Sequence, residues 1–198
     1  TDTMQRILNE FGRQTGGGTE DPVIHFYEGF LKEYDGLQRV ERGVYYTPDP
    51  VVDFIVRSVH ESLKTEFGLE LGLADTTTWH EMVATGRAEW PKNPKTGKVN
   101  IDWVKKIKGS AFVQILDPAT GTGTFLKHII NIIHDEIKRK HIRESVTQDW
   151  MIYWNNYVYH KLLPRLYAFE LMMASYSVAH MKIGMHLKSL GYHLQQLI

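Results

Sequence analysis

An acidic residue and two glycines separate two apolar runs in the sequence Ile115-Leu116-Asp117-Pro118-Ala119-Thr120-Gly121-Thr122-Gly123-Thr124-Phe125-Leu126. Residues 111–116 form a short apolar run, which is typical of a buried strand. Apolar residues then recur every three or four positions from Phe125 to Ile137, which is helical spacing. The pattern therefore predicts a strand, a glycine-rich loop and a helix, in that order.

The chemistry of this loop favours a polar ligand that is not a phosphate. A strand that passes through a glycine loop into a helix directs backbone N–H groups and the helix dipole at one small volume. Gly121 and Gly123 allow backbone angles closed to other residues and let a ligand approach the main chain. Neither the G-x-G-x-x-G spacing nor a phosphate-loop lysine is present, and Asp117 favours a ligand with an amino group. An isolated G-x-G also fits a turn that only tightens the connection.

The composition is that of an ordinary folded protein, with 198 residues, 42% of them hydrophobic and 23% charged. This length fits one domain, or a domain with a helical attachment. Basic and acidic residues balance at 23 each, so the chain lacks the basic excess of a protein that grips nucleic acid with its whole surface. Without cysteine, a secretory signal or an apolar run of membrane-spanning length, we expect a cytoplasmic protein with no membrane partner.

Three segments before the loop have distinct patterns. Residues 1–40 are predicted to be a helical segment, interrupted by the triple glycine 16–18. Thr47-Pro48-Asp49 is typical of a helix start, with a capping hydroxyl on Thr47, and the helix should run to about Phe67. Residues 68–110 form an insertion or long connection, with short helices expected near Trp79 to Ala84 and Ile101 to Lys106.

The chain after the loop contains a second acidic residue of interest. A helix over 149–163, a strand over 166–169 and a long helix over 171–190 are predicted. Glu170 ends the second apolar run, where an acidic side chain beside a nucleotide site accepts hydrogen bonds from ribose hydroxyls. A glutamate there also fits a plain, solvated helix start. Its separation from Asp117 is much longer than the roughly 20 residues of nicotinamide-binding units, which leaves room for the extra helix.

Three motifs resemble those of one enzyme family. The string "DPATGTGTF", from Asp117, resembles the first motif of adenine-specific DNA methyltransferases, the loop that holds S-adenosylmethionine. The string "YAFELMMASYSVAHMKI", from Tyr167, looks like the family's second motif, with Glu170 as its acidic residue. The string "RGVYYTPDPVVDFIV", from Arg42, resembles the remaining cofactor motif. The resemblance implies that Asp117 lies near the methionine amino group of the cofactor and that 119–123 wrap its amino-acid end.

The resemblance implies a fold, a function and a set of partners. The fold is α/β and helix-rich, a partial Rossmann-like S-adenosylmethionine-dependent methyltransferase fold over 41–198, with the helical coupling segment 1–40 before it. The order of the motifs is similar to that of the modification part of a type I-like single-chain restriction-modification enzyme (type ISP or type IIG-like). Such an enzyme transfers a methyl group to the exocyclic amino group of adenine in DNA. The expected partners are DNA, mainly through other regions, and the remaining methyltransferase, target-recognition and nuclease or motor domains.

The resemblance also implies the cofactor-binding residues. Tyr46 would offer a flat surface, Thr47 a hydroxyl, and the following helix an N-terminus that can face the methionine carboxylate. The full set is Tyr46, Thr47, Pro48, Asp117, Pro118, Ala119, Thr120, Gly121, Gly123, Thr124, Phe125, Glu170 and Leu171.

No catalytic residue is expected in this chain. The family orients the adenine nitrogen with the tetrapeptide Asn or Asp, Pro, Pro, aromatic, and no such string occurs; Asn93-Pro94-Lys95 lacks its second half and precedes the loop. We therefore expect a fragment that does not methylate DNA alone. We also expect it to self-associate through the strand at 111–116, because a sheet with only two apolar strands leaves a hydrophobic edge without a partner. Two alternatives stay open: a non-catalytic helical coupling or interaction module of a restriction enzyme, and an RNA or protein methyltransferase.

Metal binding is not expected either. His128, His134 and His141 lack the i, i+4 spacing of a helical zinc site. Glu136-Ile137-Lys138 is similar to the E-x-K string of restriction nucleases, but it falls on a predicted helix and fits a solvated charged face.

Overall fold

The structure, a computed structural model, describes residues 47–193 of the chain. Short 3-10 turns occupy Gly72–Ala74 and Leu163–Arg165, and a π-helical turn occupies Val158–Leu162. The remaining elements are α1 (Asp49–Phe67), α2 (Trp79–Ala84), α3 (Ile101–Ile107), β1 (Ile115–Asp117), α4 (Thr124–Arg143), α5 (Trp150–Tyr157), β2 (Leu166–Ala168) and α6 (Met173–Ser189).

The two strands form a small parallel sheet. Ile115 pairs with Leu166, and Asp117 pairs with Ala168. A parallel pair needs a long crossover, which α4 and α5 supply here. The carboxyl ends of both strands therefore meet at one edge of the sheet. The prediction of a helix-rich α/β chain is confirmed at this coarse level, whereas the Rossmann-like topology stays a prediction.

Most element positions agree with the sequence pattern, but β1 covers only the end of the strand predicted at 111–116, and the predicted cap of α1 is wrong. The helix after Pro48 ends at Phe67, the short helices α2 and α3 lie where they were expected, and α4 follows the glycine loop directly. Thr47 does not cap α1: the N-cap is Pro48, and no side-chain hydrogen bond closes the first turn. The proline carbonyl instead accepts from the N–H groups of Val51 and Val52, at 2.9 and 3.1 Å.

The hydrophobic core lies between α1, α4 and the chain that leads into β2. It contains residues from the apolar faces of α1 and α4 and from the region 68–110. Part of that long connection is therefore buried in the core. Its buried members include Val52, Val56, Leu69, Leu73, Ala74, Met82, Ile130, Ile133, Ile137, Trp154 and Leu162. Helical spacing in α4 puts its apolar residues on one face, which explains why this helix carries the core.

A buried arginine fixes the place where β2 begins. Arg165 is 2% exposed, and its guanidinium donates to the carbonyls of Leu73 at 2.8 Å and Val113 at 3.3 Å. It also donates to the Tyr157 hydroxyl at 2.9 Å, which in turn donates to the Ala74 carbonyl at 2.7 Å. Burying a guanidinium is costly unless its donors are satisfied, and here three separate parts of the chain satisfy them. The network thereby ties the segment before β1 to the start of β2.

A second polar cluster joins α1 to α4. The Oε1 atom of Glu136 lies 3.1 Å from His60 Nε2 and 3.1 Å from Arg139 Nη2, and it accepts from Lys64 Nζ at 3.4 Å. Glu136 is 8% exposed, so its predicted place on a solvated face is wrong. Three cationic or polar donors around one oxygen explain why the carboxylate tolerates burial.

Candidate functional site

The glycine loop is held against the chain that follows β2. Beyond the paired strands, the Phe169 N–H donates to the Asp117 carbonyl at 2.9 Å. The Thr120 N–H donates to the Phe169 carbonyl at 3.0 Å. These bonds continue the parallel pairing past the end of the sheet. The loop and the residue after Phe169 consequently lie side by side at the carboxyl edge, where open α/β sheets bind ligands.

Glu170 connects the two loops with its side chain. Its Oε2 accepts from the Gly121 N–H at 2.9 Å, and its Oε1 accepts from the Met172 N–H at 2.7 Å. The structure thus places Glu170 against the glycine loop that follows Asp117. Each carboxylate oxygen has more than one lone-pair site, so Glu170 keeps the capacity to accept further hydrogen bonds.

Asp117 carries an unsatisfied atom into the site. Its Oδ1 accepts from the Ala119 N–H at 3.2 Å, which closes a turn at the start of the loop. Its Oδ2 is buried and has no hydrogen-bond partner among the described residues. A buried carboxylate oxygen without a donor carries a desolvation penalty, and a charged donor relieves that penalty most effectively. A ligand amino group next to Asp117 would supply such a donor.

The two glycines have different surroundings. Gly121 has φ +55°, and a Cβ added there would meet no atom within 4 Å. Gly123 has φ +84°, and a Cβ there would lie 3.3 Å from Ile183 Cγ1 and 3.5 Å from Ala179 Cβ. Both positions need the left-handed backbone that glycine adopts readily. Gly121 therefore borders open space in which a ligand could approach, while Gly123 is where α6 packs against the loop.

Two loop threonines are buried with free hydroxyls. Thr120 is 8% exposed and Thr122 is 2% exposed, and the Oγ1 atom of each lacks a hydrogen-bond partner within 47–193. Thr122 lies within the stretch 119–123 that was expected to wrap the cofactor, although it was not in the set of individual cofactor-binding residues. Its position between the two glycines was the available signal, but the sequence pattern did not indicate that its side chain turns inward.

The first turn of α4 faces the same region. Gly123 is the N-cap, and neither a side-chain cap nor an acidic residue occupies this first turn. Of the other expected residues here, Pro118 and Ala119 are exposed and Thr124 and Phe125 are half-buried. Leu171 follows Glu170 with a side chain that is 95% exposed, which leaves a large apolar surface beside the carboxylate.

The third motif is described only in part. Tyr46, like the predicted coupling segment 1–40, lies outside the described residues. Thr47 and Pro48 are exposed, and no hydrogen bond joins them to the glycine loop within the described part of the chain. The start of α1 does approach α4, because His128 Nε2 lies 3.6 Å from Asp49 Oδ1. The described part of the motif, from Thr47 onward, thus lies near the helix that follows the loop.

Residues 47–193 contain neither a cluster of metal ligands nor a membrane-spanning helix. No group of three or more histidine, aspartate or glutamate side chains in this part of the chain is arranged to hold a metal ion. Among the same residues, no helix has both the length and the apolar character that a membrane span requires.

Comparison with known proteins adds no relative. The chain matches no family model, no curated protein and no solved structure.

Proposed function

We propose that this chain binds S-adenosylmethionine as the cofactor-binding part of an adenine-specific DNA methyltransferase of the restriction-modification type. The observation that carries the proposal is the convergence of Asp117, the Gly121 backbone and Glu170 at the carboxyl edge of a parallel strand pair. The three lie in the order that the family's motifs require. The support is geometric, together with the three sequence motifs.

The charges of this edge suit the parts of the cofactor. The buried Asp117 Oδ2 has no donor of its own among the described residues, and the methionine amino group of S-adenosylmethionine would provide one. The uncapped first turn of α4 is an electropositive end suited to the methionine carboxylate. Glu170 keeps lone pairs for the ribose hydroxyls, and the exposed Leu171 offers an apolar surface for the adenine ring. When bound, the cofactor supplies an electrophilic methyl group; the chain's own residues hold it in place.

The proposal assigns no catalytic residue to this chain. Orientation of the adenine amino group needs acceptors and a stacking ring, and the tetrapeptide that provides them in the family is absent from the sequence. DNA as partner and methyl transfer to adenine are accordingly proposed for the complete enzyme. What is proposed for residues 47–193 is retention and orientation of the cofactor.

A second candidate is favoured by one observation. Both carboxylate oxygens of Glu170 already accept backbone N–H groups, from Gly121 and Met172. Hydrogen bonds of this kind would also stabilise a loop whose only role is to connect β1 to α4. In this second candidate the chain is a helical interaction module of a restriction enzyme, and the loop binds no cofactor.

Isothermal titration calorimetry separates the two candidates. We expect the full chain to bind S-adenosylmethionine and its demethylated product, and to bind NAD much more weakly, because no motif for a dinucleotide is present. Glu170→Ala should weaken S-adenosylmethionine binding by roughly tenfold or more, which corresponds to charge-assisted hydrogen bonds worth about 1.5–3 kcal/mol. Asp117→Asn should weaken it as well, since it removes the charge that pairs with the amino group.

The matched control is Glu66→Gln, which removes a carboxylate from the exposed last turn of α1. Glu66→Gln should leave the dissociation constant unchanged. Thermal unfolding without ligand, measured on each variant, separates loss of affinity from loss of the bonds that Glu170 makes to the loop. Absence of binding by the unaltered, folded chain would reject the proposal in favour of the interaction module, and equal affinity for NAD would reject the cofactor assignment.

A further inference from the structure

A separate cavity lies between β2, the start of α4 and α6. Its volume is about 680 Å³. Its walls are mostly apolar and include Leu126, Leu163, Leu166, Ile183 and Leu187. This volume falls within the range of about 300–1,000 Å³ found for small-molecule sites. Asp117 and Glu170 do not line it, so it is distinct from the loop site and meets that site only at Thr120.

Thr120 lies where the cavity meets the glycine loop. Thr120 lines the cavity and is 8% exposed, yet its Oγ1 has no hydrogen-bond partner in 47–193. A buried hydroxyl without a partner has lost its hydrogen bonds to water and gained none in return. Because Oγ1 itself is buried, recognition of a ligand here depends on the apolar walls and on the exposed basic residues of the cavity.

The charges around the cavity are all of one sign. The lining includes His180, Lys188 and His193, all of them exposed, but no aspartate or glutamate. A mostly apolar space lined by basic but no acidic groups is complementary to a molecule with an apolar body and a negative head group.

We propose that this cavity is a binding site for an amphiphilic anion, namely a molecule with an apolar body that ends in a carboxylate. The apolar body fills the space between β2 and α6, where burial of its surface supplies the affinity. The carboxylate lies beside the exposed Lys188, which forms an ion pair with it. The inference does not depend on the proposed cofactor function, because it rests on different residues apart from Thr120.

A substitution at Gly184 could fill this cavity without disturbing the fold. Gly184 lines the cavity from within α6, and a Cβ added there would meet nothing within 4 Å. The first atom of a leucine side chain at this position would therefore meet no neighbour, and leucine is a better helix former than glycine. Gly109 is a matched control, since a Cβ there also meets nothing within 4 Å and it does not line the cavity.

The test uses dodecanoate, with dodecanol as its neutral counterpart, both below the concentration at which they form micelles. Displacement of anilinonaphthalene sulfonate fluorescence from the full chain measures their binding. We expect dodecanoate to bind more tightly than dodecanol, with Gly184→Leu weakening dodecanoate at least tenfold and Gly109→Leu leaving it unchanged. Lys188→Gln should reduce the preference for dodecanoate by about fivefold, as expected for an exposed charge pair, whereas Lys138→Gln, on the exposed face of α4, should not.

Several results would overturn the proposal. They are failure of dodecanoate to bind, equal effects of Gly184→Leu and Gly109→Leu, and equal affinity for the acid and the alcohol. Competition between dodecanoate and S-adenosylmethionine would also overturn it, because the cavity would then belong to the loop site. Calorimetry with S-adenosylmethionine on the same sample keeps this outcome separate from failure of the proposed function.

Discussion

At the scale of single residues, His60 is held in one protonation state by its neighbours. The Leu73 N–H donates to His60 Nδ1 at 3.3 Å, so Nδ1 must be unprotonated, and Nε2 must then carry the hydrogen that faces Glu136. Burial lowers the pKa of the imidazole, and the Lys64 ammonium lowers it further, while Glu136 and Glu61 oppose that shift. The folded chain therefore favours the neutral ring.

This lowered pKa predicts acid sensitivity with a definite sign. In the unfolded chain the pKa of His60 is about 6.5. Below that pH, protonation of the unfolded chain therefore favours unfolding. The stabilisation is complete above this value and is lost as pH falls through the lowered pKa of the folded state. We expect the free energy of unfolding, from urea titrations between pH 8 and 5.5, to fall by up to about 1.4 kcal/mol per pH unit below pH 6.5.

Two variants test whether His60 is the source of that slope. His60→Gln should be less stable at pH 8, because it loses the acceptor for Leu73, but its stability should depend less on pH. His80→Gln removes an exposed histidine of α2 and should keep the slope of the unaltered chain. A slope that persists in His60→Gln would assign the acid sensitivity to another group.

Single residues also mark where sequence reasoning succeeds and where it stops. Asp117 and Glu170 follow from their places at strand ends, because a parallel crossover brings such ends to one edge. The Glu170 bond to Gly121 and the inward turn of Thr122 depend on side-chain directions in an irregular loop, for which no periodicity exists. The burial of Glu136 was missed because its partners lie on α1, far away in sequence.

At the scale of elements, the contact between the glycine loop and α6 decides what each glycine does. The two glycines share a left-handed backbone, so alanine at either position costs about 1–2 kcal/mol. Only Gly123 adds a steric conflict, since its Cβ would lie 3.3 Å from Ile183 Cγ1 and 3.5 Å from Ala179 Cβ. Crowding of this kind lowers the free energy of unfolding by about 1–3 kcal/mol more.

We therefore predict that Gly123→Ala lowers the free energy of unfolding more than Gly121→Ala does. Urea denaturation of both variants measures the difference directly. Gly184→Ala serves as the reference, because it lies inside α6 with free space around it and should gain about 0.5–1 kcal/mol from helix propensity. Equal losses at Gly121 and Gly123 would mean that α6 does not press on the loop.

Element boundaries were predictable where a local signal exists. Thr78 caps α2 and Asn100 caps α3 with side-chain hydrogen bonds, and the glycine loop precedes the start of α4. The predicted helix over 149–163 becomes π-helical at Val158–Leu162, a change that leaves no trace in apolar spacing. The strand predicted at 111–116 is shorter, because Ala111 pairs with Thr78 instead of joining the sheet.

At the scale of the whole molecule, one face of the sheet carries exposed apolar side chains. Leu116 and Tyr167 are register partners, so they lie on the same face, and they are 58% and 49% exposed. Phe169 follows with 64% exposure. Ile115, on the opposite face, is buried in the core. Apolar residues that gather on one uncovered face are typical of a surface that binds another chain or a further part of its own domain.

We predict that the chain self-associates through this face. The face includes Leu116, the last residue of the strand 111–116 that was expected to mediate self-association. Burial of Leu116, Tyr167 and Phe169 between two copies would remove apolar surface from water, and both strands are short, so edge pairing alone would contribute little. Sedimentation velocity over rising concentrations should show a growing dimer population for the full chain. Leu116→Lys should suppress it, because a charge would enter the contact, whereas Phe54→Lys, at a position of α1 that is 72% exposed, should not. A monomer at every concentration, or equal suppression by the two lysines, would contradict association through the sheet.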